Sequence, residues 1–189
     1  MREAITYCLI MEIMNAEQKI QNAFLQLIRK YRFSEITVTM LCQEAGISRT
    51  SFYKHYSNTA EVLDDVLETI FANVDMVQTE LLGYGKAHGV PLCVFVRKHP
   101  ELRNLFTDDS IIHTVIRKLV SMNRKEYLDA MHHRVTSSDD ELISLLFFQL
   151  NGCMHAIRHT ISRSDDEWAA NKKNIDSFIL SGYKSLPPK

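Results

Sequence analysis

The apolar residues of the chain recur at the spacing of one face of an α-helix in most segments. Residues 15–31 and 58–74 show the clearest helical faces, and Asn15 and Asn58 are placed to cap these two helices. No segment sustains the two-residue alternation of a half-buried strand, so we predict an all-α fold without a sheet. The two apolar faces consist of Ile20, Ala23, Phe24, Leu27, Ile28 and Tyr31, and of Val62, Leu63, Val66, Leu67, Ile70, Phe71 and Val74.

Two later helices are predicted from their capping boxes. A serine and a glutamate three positions apart can satisfy free backbone N–H groups at the start of a helix. Ser138 is paired in this way with Glu141, and Ser164 with Glu167. Acidic residues also surround both starts, where they oppose the helix dipole. We therefore expect one helix to begin near residue 138 and another near residue 164.

The first of these two helices is apolar around most of its circumference. Leucine, isoleucine and phenylalanine fill seven of the nine positions from 142 to 150. A helix that is apolar nearly all round is buried nearly all round, so it either contacts a second subunit or forms the central core helix of one subunit. A glycine at 152 favours the first interpretation, because it would let a partner helix approach closely. The predicted dimer contacts are Leu142, Leu146, Leu150, Gly152 and Cys153.

Residues 37–56 predict two short helices joined by a tight turn. Thr37 can cap a helix over VTMLCQEA, and Ser48 can cap a second helix over RTSFYKHY. Gly46 lies between them, where glycine adopts a positive φ angle without steric cost. This order is that of the helix-turn-helix, whose second helix enters the major groove of DNA. The residues expected to bury between the two helices are Leu41, Cys42, Ala45, Ile47 and Phe52.

The polar residues of the second short helix suit a surface that faces DNA. An arginine and two hydroxyl residues occupy its first turn, where arginine can donate to guanine O6 and N7 and hydroxyls can contact either strand. A tyrosine, a lysine and a histidine follow and can reach phosphate oxygens, which position a helix without reading sequence. The formal net charge of the chain is −1, but residues 1–60 hold seven Lys or Arg against five acids, a local net of +2. The residues expected to contact bases are Arg49, Thr50 and Ser51. Those expected to contact phosphates are Tyr53, Lys54 and His55.

Residues 15–67, and above all TVTMLCQEAGISRTSFYKHYSNTAEVL, resemble the N-terminal DNA-binding region of the tetracycline-repressor (TetR) family of bacterial regulators. The similarity lies in Thr37, the turn of residues 45–48, the aromatic pair at 52–53, Tyr56 and the helix start at 58–63. A later segment, FFQLNGCMHAIRHTISRSDDEW, resembles the dimer-forming end of a subgroup that includes dihydroxyacetone-kinase regulators.

The resemblance implies a three-helix DNA-binding domain over residues 1–60, a connecting helix over 61–84, and a helical bundle over 85–189 for dimerisation and ligand binding. A glycine-rich stretch at 83–91 supports the second boundary. The resemblance further implies a homodimer that reads a near-palindromic operator as a repressor, and a small-molecule effector that lowers operator affinity. The expected DNA contacts are Thr37, Thr39, Ser48, Arg49, Thr50, Ser51, Tyr53, Lys54, His55 and Thr59. Candidates for the effector pocket are Phe95, Phe106, His113, Phe147, Asn151 and His155.

Thr59 departs from the family pattern, in which a lysine at the start of the fourth helix contacts a phosphate. Its hydroxyl can donate a hydrogen bond but carries no charge, so affinity would depend more on Arg49, Lys54 and the basic end of the first helix. That basic end, Arg29, Lys30 and Arg32, has an alternative interpretation as a solvated helix terminus. The same departure leaves open a regulator that keeps this scaffold and acts through a protein partner without reading DNA.

Catalytic and metal-binding patterns are the remaining alternatives. The sequence contains no phosphate-binding glycine loop, nucleophile elbow or H-E-x-x-H motif, so we expect neither an enzyme nor a cofactor. His155 and His159 have a spacing that metals use, but no further ligand is clearly placed to complete a site, and we expect no metal.

Cysteine usage and the N-terminal segment indicate the compartment. The four cysteines, at positions 8, 42, 93 and 153, form no C-x-x-C motif and are expected to be reduced thiols. Residues 4–14 are apolar but contain Glu12 and are too short to span a bilayer. We interpret residues 1–14 as an N-terminal extension and expect a cytoplasmic protein without a membrane segment.

Overall fold

The computed structural model describes residues 14–72, 74–75 and 90–189, and the chain is all-α in these ranges. Four helices form an N-terminal part, called the head below: α1 (Ala16–Ile28), α2 (Val38–Ala45), α3 (Arg49–Phe52) and α4 (Thr59–Phe71). Five helices form the body: α5 (Leu92–Lys98), α6 (Arg103–Thr107), α7 (Ile112–His132), α8 (Asp139–Thr160) and α9 (Asp165–Lys184). Short 3₁₀ turns cover Phe33–Glu35 and Pro100–Leu102. The predicted N-terminal extension up to residue 13 and most of the glycine-rich stretch at 83–91 lie outside the described residues.

The helix starts agree with the caps predicted from the sequence. The Asn15 side chain accepts a hydrogen bond from the Gln18 N–H at 2.9 Å, and the Gln18 side chain returns one to the Asn15 N–H. The Asn58 side chain accepts from two backbone N–H groups of α4. Both predicted capping boxes are present at the starts of α8 and α9. Each cap satisfies backbone donors that have no partner within the helix.

Two of the predicted helices end earlier than the apolar pattern suggested. Tyr31 follows the end of α1 and is 40% exposed, because the buried face of this helix stops at Ile28. The connecting helix ends at Phe71, and Val74–Asp75 then pairs in parallel with Val90–Pro91 over two residues. The predicted all-α class is confirmed, and the β contacts in the described ranges are this two-residue pairing and a single bridge between Val135 and Pro188. The pairing is too short to change the all-α class.

The buried core is continuous from the head into the body. In the head, Phe24, Leu41 and Phe52 are fully buried where α1, α2 and α3 meet. At the junction, the rings of Phe71 on α4 and Phe106 on α6 lie 6.1 Å apart between centroids. The two parts are thus packed against each other through side chains with no contact to solvent.

Polar contacts also join the head to the body. The Asn104 side chain donates to the Ile28 carbonyl at 2.7 Å, and the Phe33 N–H donates to Asp108 at 2.8 Å. Burial alone would raise the pKa of Asp108, but hydrogen bonds from Ser110 and Phe33 outweigh it and lower this pKa. Lys118 on α7 reaches two acids of α4 at 2.8 Å each. Both α6 and α7 are therefore tied to the head by polar side-chain contacts.

None of the helices in the described ranges combines the length and the apolar character needed to cross a bilayer.

Candidate nucleic-acid interface

The turn between α2 and α3 has the geometry that the helix-turn-helix requires. Gly46 adopts φ 65° and ψ 36°, in the left-handed region that costs other residues about 1–2 kcal/mol. Its N–H and that of Ile47 satisfy the last carbonyls of α2, at 3.3 and 3.0 Å. The Ser48 hydroxyl then caps α3 by accepting from the Ser51 N–H at 3.1 Å. Local sequence alone thus fixes where one helix stops and the next one starts.

Buried aromatic packing holds α3 in place. Phe52 is fully buried, with its ring edge-on to Tyr53 at 5.4 Å and tilted against Tyr56 at 6.0 Å. Leu41, Cys42 and Ala45 of α2 are buried as predicted, while Ile47 is half-buried against the same core. Burial raises the pKa of the Cys42 thiol, with Arg49 acting in the opposite direction. This thiol therefore behaves as a small apolar group at the junction of the two helices.

The other side of α3 and the turn after it face solvent. Arg49, Thr50, Tyr53, Lys54 and His55 are exposed, and Tyr53 is 51% exposed despite its apolar ring. Within the described part of the chain, neither Arg49 nor Lys54 forms an ion pair with an acid. Uncompensated cations beside exposed hydroxyls form a surface that suits a polyanion.

Arg49 and Tyr53 lie together on this surface. The guanidinium donates a long hydrogen bond to the Tyr53 hydroxyl at 3.4 Å and lies 6.0 Å from the ring centroid. Both side chains are solvent-exposed, so this contact is weak. The N–H groups of the guanidinium therefore remain available to donate hydrogen bonds to another molecule. The pair presents N–H and O–H donors at neighbouring points of one helical turn.

Helix α3 is shorter than the sequence predicted. The expected helix ran through RTSFYKHY, but α3 ends at Phe52, and Lys54 and His55 lie in the following turn. The chain turns here because Tyr56 points inward and its hydroxyl donates to Asp65 at 2.6 Å. Gln21 of α1 donates to the same carboxylate at 2.9 Å. Asp65 on α4 therefore joins α1, α4 and the turn after α3.

The residues that hold Tyr56 were missed by the sequence analysis. Gln21 and Asp65 lie 35 and 9 residues from Tyr56, and neither belongs to a motif. Burial, and then the hydrogen bond to Asp65, raise the pKa of Tyr56 far above its usual value. The only sequence signal was the acidic pair at 64–65 within a helix. Tyr56 thus anchors the turn after α3 to the core of the head and is itself buried.

The remaining predicted DNA contacts lie at helix starts. Thr37 caps α2 by accepting from the Met40 N–H at 3.2 Å, and Thr39 is exposed in the first turn of the same helix. Thr59 is the first residue of α4 and is half-buried. Arg29, Lys30 and Arg32 at the end of α1 are all exposed.

The six candidate pocket residues do not line one cavity. Phe106 is a fully buried core residue against Phe71, whereas His113 and His155 are exposed. Phe95 is half-buried beside the His99 ring, with 4.5 Å between centroids. Phe147 and Asn151 are half-buried neighbours on α8, joined by a side-chain hydrogen bond to backbone of 2.8 Å. Selection by residue type failed here because it could not tell which face of each helix points inward.

The predicted dimer contacts divide into two groups. Leu142, Leu146 and Leu150 are buried inside the subunit, so their assignment to a contact between subunits is corrected. They form the inward stripe of α8 and are already covered by neighbouring helices of the same subunit. Gly152 is exposed, and a Cβ atom added there would meet nothing within 4 Å. Cys153 is half-buried between these two groups.

Two phenylalanines outside the predicted dimer contacts are exposed. Phe148 on α8 is 69% exposed and Phe178 on α9 is 71% exposed. Phe148 borders an apolar groove between these two helices, whose other lining residues include Leu145, Ile179, Gly182 and Leu186. Exposed aromatic side chains beside an apolar groove form a candidate interaction surface.

Metal ligands are not assembled within the described ranges: no group of three or more His, Cys, Asp or Glu side chains is arranged to hold an ion there. His155 is exposed, and the ring nitrogen of His159 lies 2.9 Å from Arg163.

Comparison with known proteins shows similarity at the level of the fold. No protein-family model matches the chain, and no curated protein matches it. A solved structure described as "Dihydroxyacetone kinase operon activator DhaS" is similar, with a TM-score of 0.50 and 19% sequence identity. The match covers 91% of this chain and 98% of the other. The two proteins therefore share a helical architecture along nearly their whole length.

Proposed function

We propose that this protein is a transcriptional regulator that binds a near-palindromic DNA operator sequence-specifically as a homodimer. The observation that supports this most is the surface of α3, where Arg49, Tyr53 and Lys54 are exposed above a helix anchored by buried Phe52. The fold shared with an operon activator agrees with this role. A protein that reads an operator works where the DNA is, so we propose a cytoplasmic location.

The DNA-facing surface separates into a reading part and a docking part. Arg49, Thr50 and Ser51 form the first turn of α3, which in a helix-turn-helix meets base edges. Lys54 and His55 lie in the turn beyond α3 and are placed to neutralise phosphates. Thr37, Thr39, Ser48 and Thr59 add hydroxyl or backbone donors at helix starts, where helix dipoles favour phosphate.

A homodimer would bury the groove between α8 and α9. Phe148 and Phe178 supply exposed aromatic anchors, and Gly152 leaves room for a second helix on the same side of α8. The two subunits of a symmetric dimer would present two copies of α3 to one face of the duplex. Half-sites are then expected one helical turn apart, ~34–36 Å, or a multiple of it.

Effector control would act through the contacts between head and body. An effector can shift the protein away from DNA only if it binds the non-binding arrangement more tightly. Asp108 and Asn104 connect α6 and the loop after it directly to the head. We propose that a small molecule bound in the body moves these anchors and lowers operator affinity, which makes the protein a ligand-responsive repressor.

Selection from a random duplex pool tests the DNA-binding function. The purified protein should enrich one near-palindrome and should shift its own upstream region in a gel assay. The lack of a lysine at Thr59 favours the second candidate, a regulator that acts through a protein partner without reading DNA. Enrichment of no sequence above the starting pool, by a protein shown to be folded, would favour that second candidate.

Replacing Lys54 by alanine is expected to weaken operator and scrambled DNA about equally. The lysine neutralises a phosphate and reads no base, so the salt dependence of binding should fall by about one unit per subunit. Tyr53→Phe removes only a hydroxyl and should weaken both DNAs without unfolding the head. Binding across a salt series measures both variants. Lys125→Ala, at an exposed position of α7, is the matched control and should leave the salt dependence of binding unchanged. If Lys54→Ala lost affinity for the operator but not for scrambled DNA, the docking role would be contradicted.

Replacing Gly152 by leucine is expected to loosen or abolish the dimer. A Cβ atom at this position meets nothing within 4 Å in its own subunit, and leucine is a good helix former, so the monomer should keep its helicity. Sedimentation measures the subunit association, and circular dichroism measures the helicity. Ser121→Leu adds the same side chain at an exposed position of α7 and should not change association. An unchanged dimer in the Gly152 variant would exclude this face of α8.

A further inference from the structure

A buried carboxylate oxygen without a hydrogen-bond partner lies in a cleft between α5, α8 and α9. Oδ2 of Asp176 accepts a hydrogen bond from Lys172, whereas the buried Oδ1 has no partner among the described residues. The Asp176 side chain is only 17% exposed. A buried acceptor that is left unpaired loses the hydrogen bonds it would make with water, so a donor that reached Oδ1 would be favoured.

The rest of the cleft is mainly apolar. The space that admits water-sized molecules is about 40 Å³, which suits a few heavy atoms rather than a large ligand. Helix α9 closes one side of the cleft and has no fully buried residue of its own. The apolar walls come from Leu92 on α5, Leu150 and Ile157 on α8, and Trp168 and Ile175 on α9.

Two thiols also line the cleft and remain protonated. Burial, and then the neighbouring Cys93 and Asp176, raise the pKa of Cys153 to about 12. Burial also raises the pKa of Cys93. Neutral thiols pack like small apolar side chains, so they extend the apolar wall and add no charge.

We propose that this cleft binds a small, mostly apolar molecule with a hydroxyl group, which donates a hydrogen bond to Oδ1 of Asp176. A neutral donor fits better than a cation, because Lys172 already balances the charge of the carboxylate. A second cation would leave a net positive charge between apolar walls, which is costly. We propose that this cleft is the place where the effector of the proposed repressor binds. Binding of the hydroxyl compound does not depend on the proposed function, whereas its effect on operator affinity does.

The cleft is connected to the head through α8. Ile157 lines the cleft, and the next residue, Arg158, donates to the Thr107 carbonyl at 3.1 Å and pairs with Asp109 at 2.7 Å. Between these two positions lies Asp108, which accepts from the Phe33 N–H of the head. A shift of α8 on ligand binding would therefore reach the contact with Phe33 through three consecutive residues at the end of α6 and just after it.

Cyclopentanol and cyclopentanone test the site in the full-length protein. The two rings are nearly equal in size, but only the alcohol can donate a hydrogen bond. Trp168 is the only tryptophan of the chain and lines the cleft, so its indole N–H resonance reports binding at this place. We expect both probes to shift this resonance and the alcohol to bind roughly tenfold more tightly, as one hydrogen bond to a charged acceptor implies. Equal affinities, or no shift with either probe, would overturn the proposal.

Two variants locate the preference within the cleft. The double variant Lys172→Met, Asp176→Leu replaces the ion pair by apolar side chains of similar shape. It should bind cyclopentanol and cyclopentanone with equal affinity. Ala156→Leu fills the cleft and should abolish binding of both. A preference that persists in the double variant would place the alcohol elsewhere and refute the assignment.

Operator affinity separates this inference from the proposed function. It is measured on the same wild-type sample without a probe. Specific DNA binding together with equal affinities for the two probes overturns only the assignment of the cleft. Selective cyclopentanol binding by a protein that enriches no DNA sequence leaves the cleft supported and refutes operator recognition.

Discussion

Replacing Phe52 by alanine should destabilise the head by about 3–5 kcal/mol and abolish operator binding. The ring is fully buried and contacts both Tyr53 and Tyr56, so its loss leaves a cavity under the DNA-facing helix. Helix α3 has only four residues and cannot persist without this anchor, because an isolated helix of that length is unstable. Denaturant unfolding measures the stability, and gel shift measures the operator affinity.

The control for Phe52→Ala is an aromatic residue of the same head that is not buried. Tyr31 is 40% exposed and follows the end of α1, so Tyr31→Ala should change stability by no more than about 0.5 kcal/mol. If Phe52→Ala unfolded at the same denaturant concentration as the wild type, the packing of α3 described above would be wrong.

Replacing Arg49 by alanine should cost roughly 1–3 kcal/mol of operator affinity per half-site and relax the preference at one base pair. The side chain is exposed and makes only a long contact with Tyr53, so the fold should be unaffected. Because a homodimer has two half-sites, the loss on a full operator should be about twice that on a single half-site. The measurement compares the affinity for the operator, for operators changed at one base pair, and for scrambled DNA.

Arg49→Lys is the matched variant for this experiment. Lysine retains the charge but lacks the planar fork that addresses guanine O6 and N7 together. It should restore most of the binding to scrambled DNA without restoring the base preference. If Arg49→Ala weakened operator and scrambled DNA alike, the residue would dock the helix on phosphates and our division of this surface would be wrong.

The start of each capped helix was determined by the sequence. Asn15, Asn58, Ser138 and Ser164 cap the helices that the sequence predicted for them, and Gly46 adopts the left-handed turn. These features depend on side chains and backbone groups within about four residues, so no distant contact was needed to foresee them. The division of the helix-turn-helix into buried and exposed residues followed for the same reason.

The ends of helices and the partners of side chains were decided by the tertiary structure. Helix α3 stops at Phe52 because Tyr56 is drawn inward by Asp65 and Gln21, which lie on two other helices. The apolar stripe of α8 that looked like a contact between subunits is buried by its own subunit, and Phe148 remains outside. The sequence of a helix that is apolar all round does not show which of its faces points into the subunit. Only the packing of the neighbouring helices decides which of its residues are buried and which remain exposed.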